Sequence, residues 1–285
     1  MAAFNTFAET YQYACWQLHA HPEFITSPRG QKIHELVGSQ LRVLNPYSNM
    51  FKNEERSLPQ KYLRKELLLY FNSIKSTEAF TKASSFWKQL TNDDGTINSS
   101  YGYLIFGEKN EEGLSQWQWA QRSLIKDKDS RQAIMYLCRT SVQRDDIKDF
   151  ICTISYQFLI RDNQLWLIVN RRSQDIFFGL TFDGPWEMLL MQQMRLHLLD
   201  TYPELKLGSY VLNCGSLHMY ERNFEKIKNM LDRPFIDHKT PKISEDCMLI
   251  DHTGESTFAM KAAYTGLLNN EDPFFNWLIE KDKKC

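Results

Sequence analysis

The sequence predicts an α/β fold, with a mixed sheet of five or six strands and all 285 residues in one domain. Three observations carry that expectation. Apolar residues recur at helical spacing through much of the first half. Short runs rich in Ile, Val, Tyr and Phe, bounded by turn residues, dominate from about residue 131 to residue 217. No internal repeat, low-complexity tract or linker divides the chain, and its single Pro and Gly residues read as turns.

Taken in order, Phe4, Phe7, Tyr11 and Cys15 recur at three-to-four spacing and predict an amphipathic N-terminal helix. Residues 32–44 mix β-branched and apolar side chains around Gly38 and predict the first strand. Residues 58–73 are helix formers throughout, with Pro59 near the start and apolar residues on more than one face, so a largely buried helix is expected. Two further helices are expected, one over 77–90 and one over 112–126. The runs RQAIMYLC, FICTISYQFLI and QLWLIVN predict strands, the last two joined by a tight turn at Arg161-Asp162-Asn163. A helix over 185–200, a strand over 206–217 and a helix after Glu221 follow. Residues 240–285 are weakly periodic and predict no element.

Hydrophobic residues make up 42% of the chain and charged residues 24%, enough apolar content for a sizeable core. A formal net charge of −1 gives no global attraction to nucleic acid or to an anionic membrane, so an anionic ligand must be held by local arginines. The start MAAFNTFAETYQYACW lacks the features of a signal peptide, and no apolar run approaches the roughly 20 residues that span a bilayer. The expectation is a soluble protein of the cytoplasm. Six scattered cysteines, with no CxxC and no metal-like cluster, read as reduced thiols and predict no metal.

Candidate functional residues are few. Cys152, among apolar and hydroxyl residues in an expected strand, reads either as a small core side chain or as a nucleophile. Glu66, inside RKELLLYF, is costly to bury without partners; it is either paired with Arg64 or Lys65, or a buried acid/base group. Arg172-Ser173 places a guanidinium fork beside a hydroxyl, half of an anion site, and Arg131 is a further element of one. His218 and Tyr220, two apart, share a strand face that suits a sugar hydroxyl or merely sits half buried.

With these residues in hand, the chain resembles the thymidylate synthase superfamily. Cys152 is followed by Gln157-Phe158, five and six residues on. Arg172-Ser173-Gln174-Asp175 matches the family's Arg-Ser-x-Asp, and Gly179-Leu180-Thr181-Phe182-Asp183 stands where the family has Gly-x-x-Phe-Asn. His218-Met219-Tyr220, Tyr101-Gly102, Glu66 and Trp87 complete the pattern in order from about Arg29 to Arg222. The narrower likeness is to the deoxycytidylate hydroxymethylases of T-even-type phages, carried by GTINSSYG, DSRQAIMYLCRTSVQ, DFICTISYQFLIRD and GSLHMYERN.

The resemblance implies a three-layer fold with a mixed sheet, forming a homodimer packed through the sheets, and one catalytic domain with 241–285 as a C-terminal extension. It implies that Cys152 is the nucleophile, assisted by Glu66 and Tyr101, and that the one-carbon donor is 5,10-methylenetetrahydrofolate on the side of Trp87, Asp175 and Gly179. It further implies that Arg172, Ser173 and Arg29 hold the 5′-phosphate with Arg131 of a partner subunit, and that His218 and Tyr220 hold the ribose. Asp183 would read the base.

Two departures from the synthases are informative. The chain has Ile151-Cys152-Thr153 where they have Pro-Cys-His, and Asp183 where they have an Asn that reads uracil. Cytosine offers an N4 amino donor beside N3, and a carboxylate accepts from both once N3 is protonated, while repelling the lone pairs of uracil O4. The expected substrate is therefore dCMP and the expected product hydroxymethylated; thymidylate synthase, hydroxymethylation of dUMP or CMP, and a non-catalytic dimeric scaffold in a viral nucleotide-synthesis complex are the alternatives. Three features depart further: Gln132 follows Arg131 where a second Arg is usual, Arg29 is displaced by one position, and EKDKKC replaces an apolar closing tail.

Overall fold

The computed structural model describes residues 2–56, 58–268 and 271–280. In chain order the first elements are β1 Ala2–Phe4, α1 Phe7–Ala20, β2 Phe24–Thr26, β3 Ile33–Val43, β4 Met50–Lys52 and α2 Gln60–Phe71. Next come α3 Thr77–Ala83, α4 Phe86–Leu90, α5 Gln116–Lys126, β5 Ile134–Tyr136, β6 Thr153–Arg161 and β7 Gln164–Asp175. The rest are α6 Leu180–Leu198, β8 Lys206–Tyr220, α7 Phe224–Leu231, β9 Ile236–His238, α8 Phe258–Thr265 and α9 Pro273–Ile279. The result is a mixed α/β protein, as the sequence predicts, and its residues cluster into two compact units built from alternating stretches of chain.

The first unit holds residues 1–58, 161–191 and 206–240. Its sheet runs β1-β3-β8-β7, with β2 also paired to β3. It is mixed: β1 is parallel to β3 and β7 to β8, while β3 pairs antiparallel with β8 and with β2. The parallel pair β7–β8 needs a crossover, which begins with α6. Register places Ser173 opposite Ser216 and Asp175 opposite His218. Helix α1 covers β3, and Tyr11 stacks on Phe51 with ring centroids 4.4 Å apart.

The second unit holds residues 59–160, 192–205 and 241–285. A core of Phe71, Phe80, Trp117 and Phe158 is fully buried. β5 and β6 pair antiparallel, with Ile134 opposite Gln157. The C-terminal helices pack on α2, where Asn72 Nδ2 donates to Met260 O and Ser256 Oγ to Phe71 O. Arg64 on α2 pairs with Glu280 at 3.2 Å. The stretch without a sequence-predicted element is thus a buttress for the helix that carries Glu66.

Several boundaries differ from expectation. Phe4 lies in β1; the helix starts only after Thr6, whose hydroxyl accepts from Glu9 N while Glu9 returns a bond to Thr6 N. The helix expected over 77–90 is two, because Ser84 is extended and its hydroxyl accepts from Phe86 N. Helix α6 begins at Leu180, so Pro185 lies inside it rather than at its start. An interior proline costs about 3 kcal/mol, and the burial of Trp186, Met188, Leu189 and Leu190 offsets it. Cys152 lies just outside the strand expected to contain it, immediately before Thr153 opens β6. The stretch EKDKKC, expected to replace an apolar closing tail, covers residues 280–285 and, Glu280 apart, lies outside the described residues. Among the described residues no helix is long and apolar enough to cross a membrane, and no cluster of His, Cys, Asp and Glu suits a metal.

Candidate active site

In the second unit, Glu66 is buried on α2 among apolar neighbours. Its Oε1 accepts from Tyr62 OH at 2.7 Å and from Tyr70 OH at 3.2 Å. Both tyrosines lie four residues from Glu66 on the same helix, one in each direction, so the helical repeat itself delivers the donors. Trp87 Nε1 donates to Tyr62 OH at 3.1 Å, and the Tyr70 ring lies 5.8 Å from that of Tyr101. One network therefore joins three residues singled out in the sequence, Glu66, Trp87 and Tyr101, through two that were missed, Tyr62 and Tyr70. Their signal was present: an i−4/i+4 tyrosine pair flanking a carboxylate on a buried helix.

Tyr101 comes this close because Gly102 follows it. A Cβ at Gly102 would sit 1.9 Å from Tyr70 O, so backbone meets backbone at a distance only glycine permits. The preceding turn is clamped by Asp149, also missed: its carboxylate accepts from Asn98 N, Ser99 N and Ser99 Oγ. Asp149 stands three residues before Cys152, so one buried carboxylate holds the turn before Tyr101 against the cysteine segment. Cys152 is half buried, its Sγ 3.9 Å from Phe150 O. Arg131 lies apart from this network, exposed on the loop before β5, with Gln157 Nε2 donating to its carbonyl at 3.0 Å.

In the first unit the sheet ladder does the positioning. Arg172 is exposed near the end of β7 and its Nη1 donates to Ser173 Oγ at 3.2 Å. Asp175 ends the strand and accepts from Phe177 N at 2.9 Å. Burial pushes the Asp175 carboxyl above the usual range, opposed by the Phe177 amide and the neighbouring His218. His218 is buried and meets Tyr220 edge to face with centroids 5.2 Å apart. Arg222 lies over the Tyr220 ring and donates to Gln31 at 2.6 Å, tying Tyr220 to the turn that carries Arg29. Arg29 itself is exposed, with a left-handed backbone at φ 52°.

Gly179 is as constrained as Gly102. A Cβ there would lie 2.3 Å from Gln174 Nε2 and 2.8 Å from Asp175 O. That approach lets Gln174 Nε2 reach Asp183 Oδ2 at 3.0 Å, and Arg171 Nη1 donates to the same oxygen at 2.7 Å. Arg171 Nη2 bonds Glu187, whose other oxygen accepts from Tyr210 OH at 2.7 Å. Burial pushes the Glu187 carboxyl up; the Arg171 guanidinium opposes that push and Asp183 adds to it. Arg171 and Glu187 carry no motif signal beyond a charged residue in an apolar stretch, and they were missed.

A family model described as thymidylate synthase matches residues 10–262. The chain belongs to the thymidylate synthase family. As a member it is a folate-dependent one-carbon transferase. It is 32% identical over 213 residues to the deoxycytidylate 5-hydroxymethyltransferase of Enterobacteria phage T4, covering 71% of this chain and 81% of that protein. It is 27% identical to thymidylate synthase 1 of Bacillus spizizenii, over 58% of this chain and 60% of the other. The solved structure of thermostable thymidylate synthase A from Bacillus subtilis superposes with a TM-score of 0.64 at 19% identity, covering 83% of this chain and 87% of that one. That last likeness bears on the thymidylate synthase fold alone.

Proposed function

We propose that this chain is a deoxycytidylate 5-hydroxymethyltransferase, a single catalytic domain that works as a cytoplasmic homodimer. The observation that carries the reading is Asp183, a carboxylate that accepts from Arg171 and Gln174 through one oxygen only. It stands where the family's uracil readers have an amide. The greater likeness to the phage hydroxymethyltransferase than to the synthases supports the same reading.

In this mechanism the Cys152 thiolate adds to C6 of the cytosine, and C5 becomes nucleophilic. Asp183 accepts from the N4 amino group and from protonated N3, stabilising the adduct. C5 bonds to the methylene carbon of 5,10-methylenetetrahydrofolate, the co-substrate, against the Trp87, Asp175 and Gly179 side. The C5 proton then leaves through water held by Glu66 and Tyr101, and tetrahydrofolate departs. Water, deprotonated through the Glu66 network, adds to the resulting exocyclic methylene, and elimination of Cys152 releases 5-hydroxymethyl-dCMP. The balance is dCMP, methylenetetrahydrofolate and water in, hydroxymethyl-dCMP and tetrahydrofolate out. The Tyr62 and Tyr70 hydroxyls on Glu66 Oε1 suit a carboxylate that moves protons, because each is both donor and acceptor.

Arg172 and Ser173 bind the 5′-phosphate with Arg29, and His218 and Tyr220 bind the ribose. Arg131 reaches the phosphate bound to the partner subunit, in keeping with its exposure; Tyr136 and Ile154 on the β5–β6 ladder, 57% and 42% exposed, offer apolar surface for subunit packing. Mass spectrometry of product from purified protein, methylenetetrahydrofolate and either dCMP or dUMP tests the reading. Hydroxymethyl-dCMP with dUMP unchanged is expected. Methylated dUMP would return the chain to the synthases, and no product from either would favour CMP and then a non-catalytic scaffold.

A further inference from the structure

Asp183 can choose between bases only if its carboxylate is held in one orientation, with one oxygen anchored and the other turned to the base. We propose that Gln174 is the positioning residue that fixes this orientation and thereby sets the preference for dCMP over dUMP. The inference rests on the reading of Asp183 as the group that selects the base.

Along β7 the buried positions alternate through Leu165, Leu167, Val169 and Arg171. The alternation then slips by one, so the next buried residue is Gln174, 2% exposed, rather than Ser173. Gln174 Nε2 donates to Asp183 Oδ2 at 3.0 Å, with Asp175 O a more distant acceptor at 3.4 Å. Asp175 O also accepts from Gly179 N at 3.1 Å, and Gly179 O from Asp183 N at 3.0 Å. Gln174, Asp175, Gly179 and Asp183 thus close a ring of hydrogen bonds, and the Gln174 amide is the link that reaches the carboxylate.

Arg171 donates to the same oxygen, but its Nη2 is bonded to the buried Glu187, so that pair places the guanidinium. One donor fixes where Oδ2 sits and leaves the carboxylate free to swing about it; a second donor from another side chain removes that freedom. A carboxylate offers only acceptors, so it dictates which end of the amide faces it. Gln174 Oε1 is then turned elsewhere, buried and without a hydrogen-bond partner among the described residues. An unmet buried acceptor destabilises, and an apolar side chain would fill this space without that cost. What the amide supplies instead is the bond to Asp183.

Gln174→Met keeps the length of the side chain and removes both the donor and the unmet acceptor, so the melting temperature is expected to hold or rise. Gln174→Leu, a second side chain with no donor, should behave in the same way. Calorimetric titration of the purified protein with dCMP and with dUMP reads the selectivity without turnover. Binding of dCMP is expected to weaken by about tenfold or more, the low end of what a hydrogen bond to a charged group is worth. Binding of dUMP should be unchanged or tighter, because a carboxylate that swings away no longer meets uracil O4. Asp183→Ala is titrated alone and combined with Gln174→Met. If Asp183→Ala leaves the ratio of the two affinities at its wild-type value, the base-selection reading itself fails. If Asp183→Ala collapses the ratio while Gln174→Met preserves it, or weakens both nucleotides alike, the role of Gln174 is overturned. That role is equally overturned if Gln174→Met weakens dCMP by the same factor once Asp183 is replaced, because the amide would then act through another group.

Discussion

The two compact units present their candidate residues by different means. In the first unit, Arg172, Ser173 and Asp175 come from one strand and His218 and Tyr220 from its neighbour, so a parallel ladder with fixed register delivers all five. In the second, Glu66, Trp87, Tyr101 and Cys152 come from two helices, a helical turn and a loop, joined by hydroxyl bonds and a clamping carboxylate. A ladder tolerates the loss of one side chain, because backbone bonds hold the others. A side-chain network does not, because each member orients the next. The second unit should therefore be the more sensitive to conservative substitution.

The largest expected effect is at Cys152. Cys152→Ser should lower turnover by about 10³-fold or more with the melting temperature little changed; a variant retaining most activity would remove the nucleophile from the account. Next is Glu66→Gln, with an expected fall in kcat of about 10²–10⁴-fold. Tyr62→Phe and Tyr70→Phe should each give a smaller fall in the same parameter. If all three variants raise KM and spare kcat, the network binds substrate rather than moving protons. By contrast Arg172→Ala in the ladder should act mainly on KM for the nucleotide, by about 10–100-fold, the value of one charge-assisted hydrogen bond. An effect confined to kcat would break the proposed contrast.

This contrast also explains what was legible in the sequence. Ladder residues sit at fixed short spacings, so Arg172-Ser173-Gln174-Asp175 and His218-Met219-Tyr220 stand out as motifs along the chain itself. Glu66 was legible as a misplaced charge in an apolar helix. Its tyrosines carried a readable i−4/i+4 spacing but were passed over, because tyrosine on a buried helix is ordinarily core. Asp149 and Arg171 were hidden for another reason: their value lies in partners 50 and 12 residues away, and only the fold brings those together. Pro185 misled because proline favours a helix's first position, and tertiary burial overrode that preference.

A smaller effect is expected in stability. His197, buried in the second unit, accepts from Trp117 Nε1 at 3.1 Å through Nδ1 and donates from Nε2 to Ile250 O at 2.8 Å. Burial pushes it down to about 4, from an ordinary 6.5. The unfolded chain therefore binds this proton more readily. Stability from the neutral ring is fully present above pH 6.5 and is lost as pH falls from there toward 4, by about 3 kcal/mol in all. Chemical denaturation at pH 7 and pH 4.5 should show a drop that His197→Gln reduces. An unchanged drop in that variant would assign the acid sensitivity elsewhere.

The most direct test reads the proposed nucleophile and the proposed base selection in one experiment. A pyrimidine with fluorine at C5 cannot lose the C5 proton, so the adduct stops after the one-carbon unit is attached. Intact-protein mass spectrometry with methylenetetrahydrofolate and 5-fluoro-dCMP should show a covalent complex that peptide mapping assigns to Cys152, with 5-fluoro-dUMP giving little. An adduct that forms mainly with 5-fluoro-dUMP, or on any other cysteine, would contradict the account.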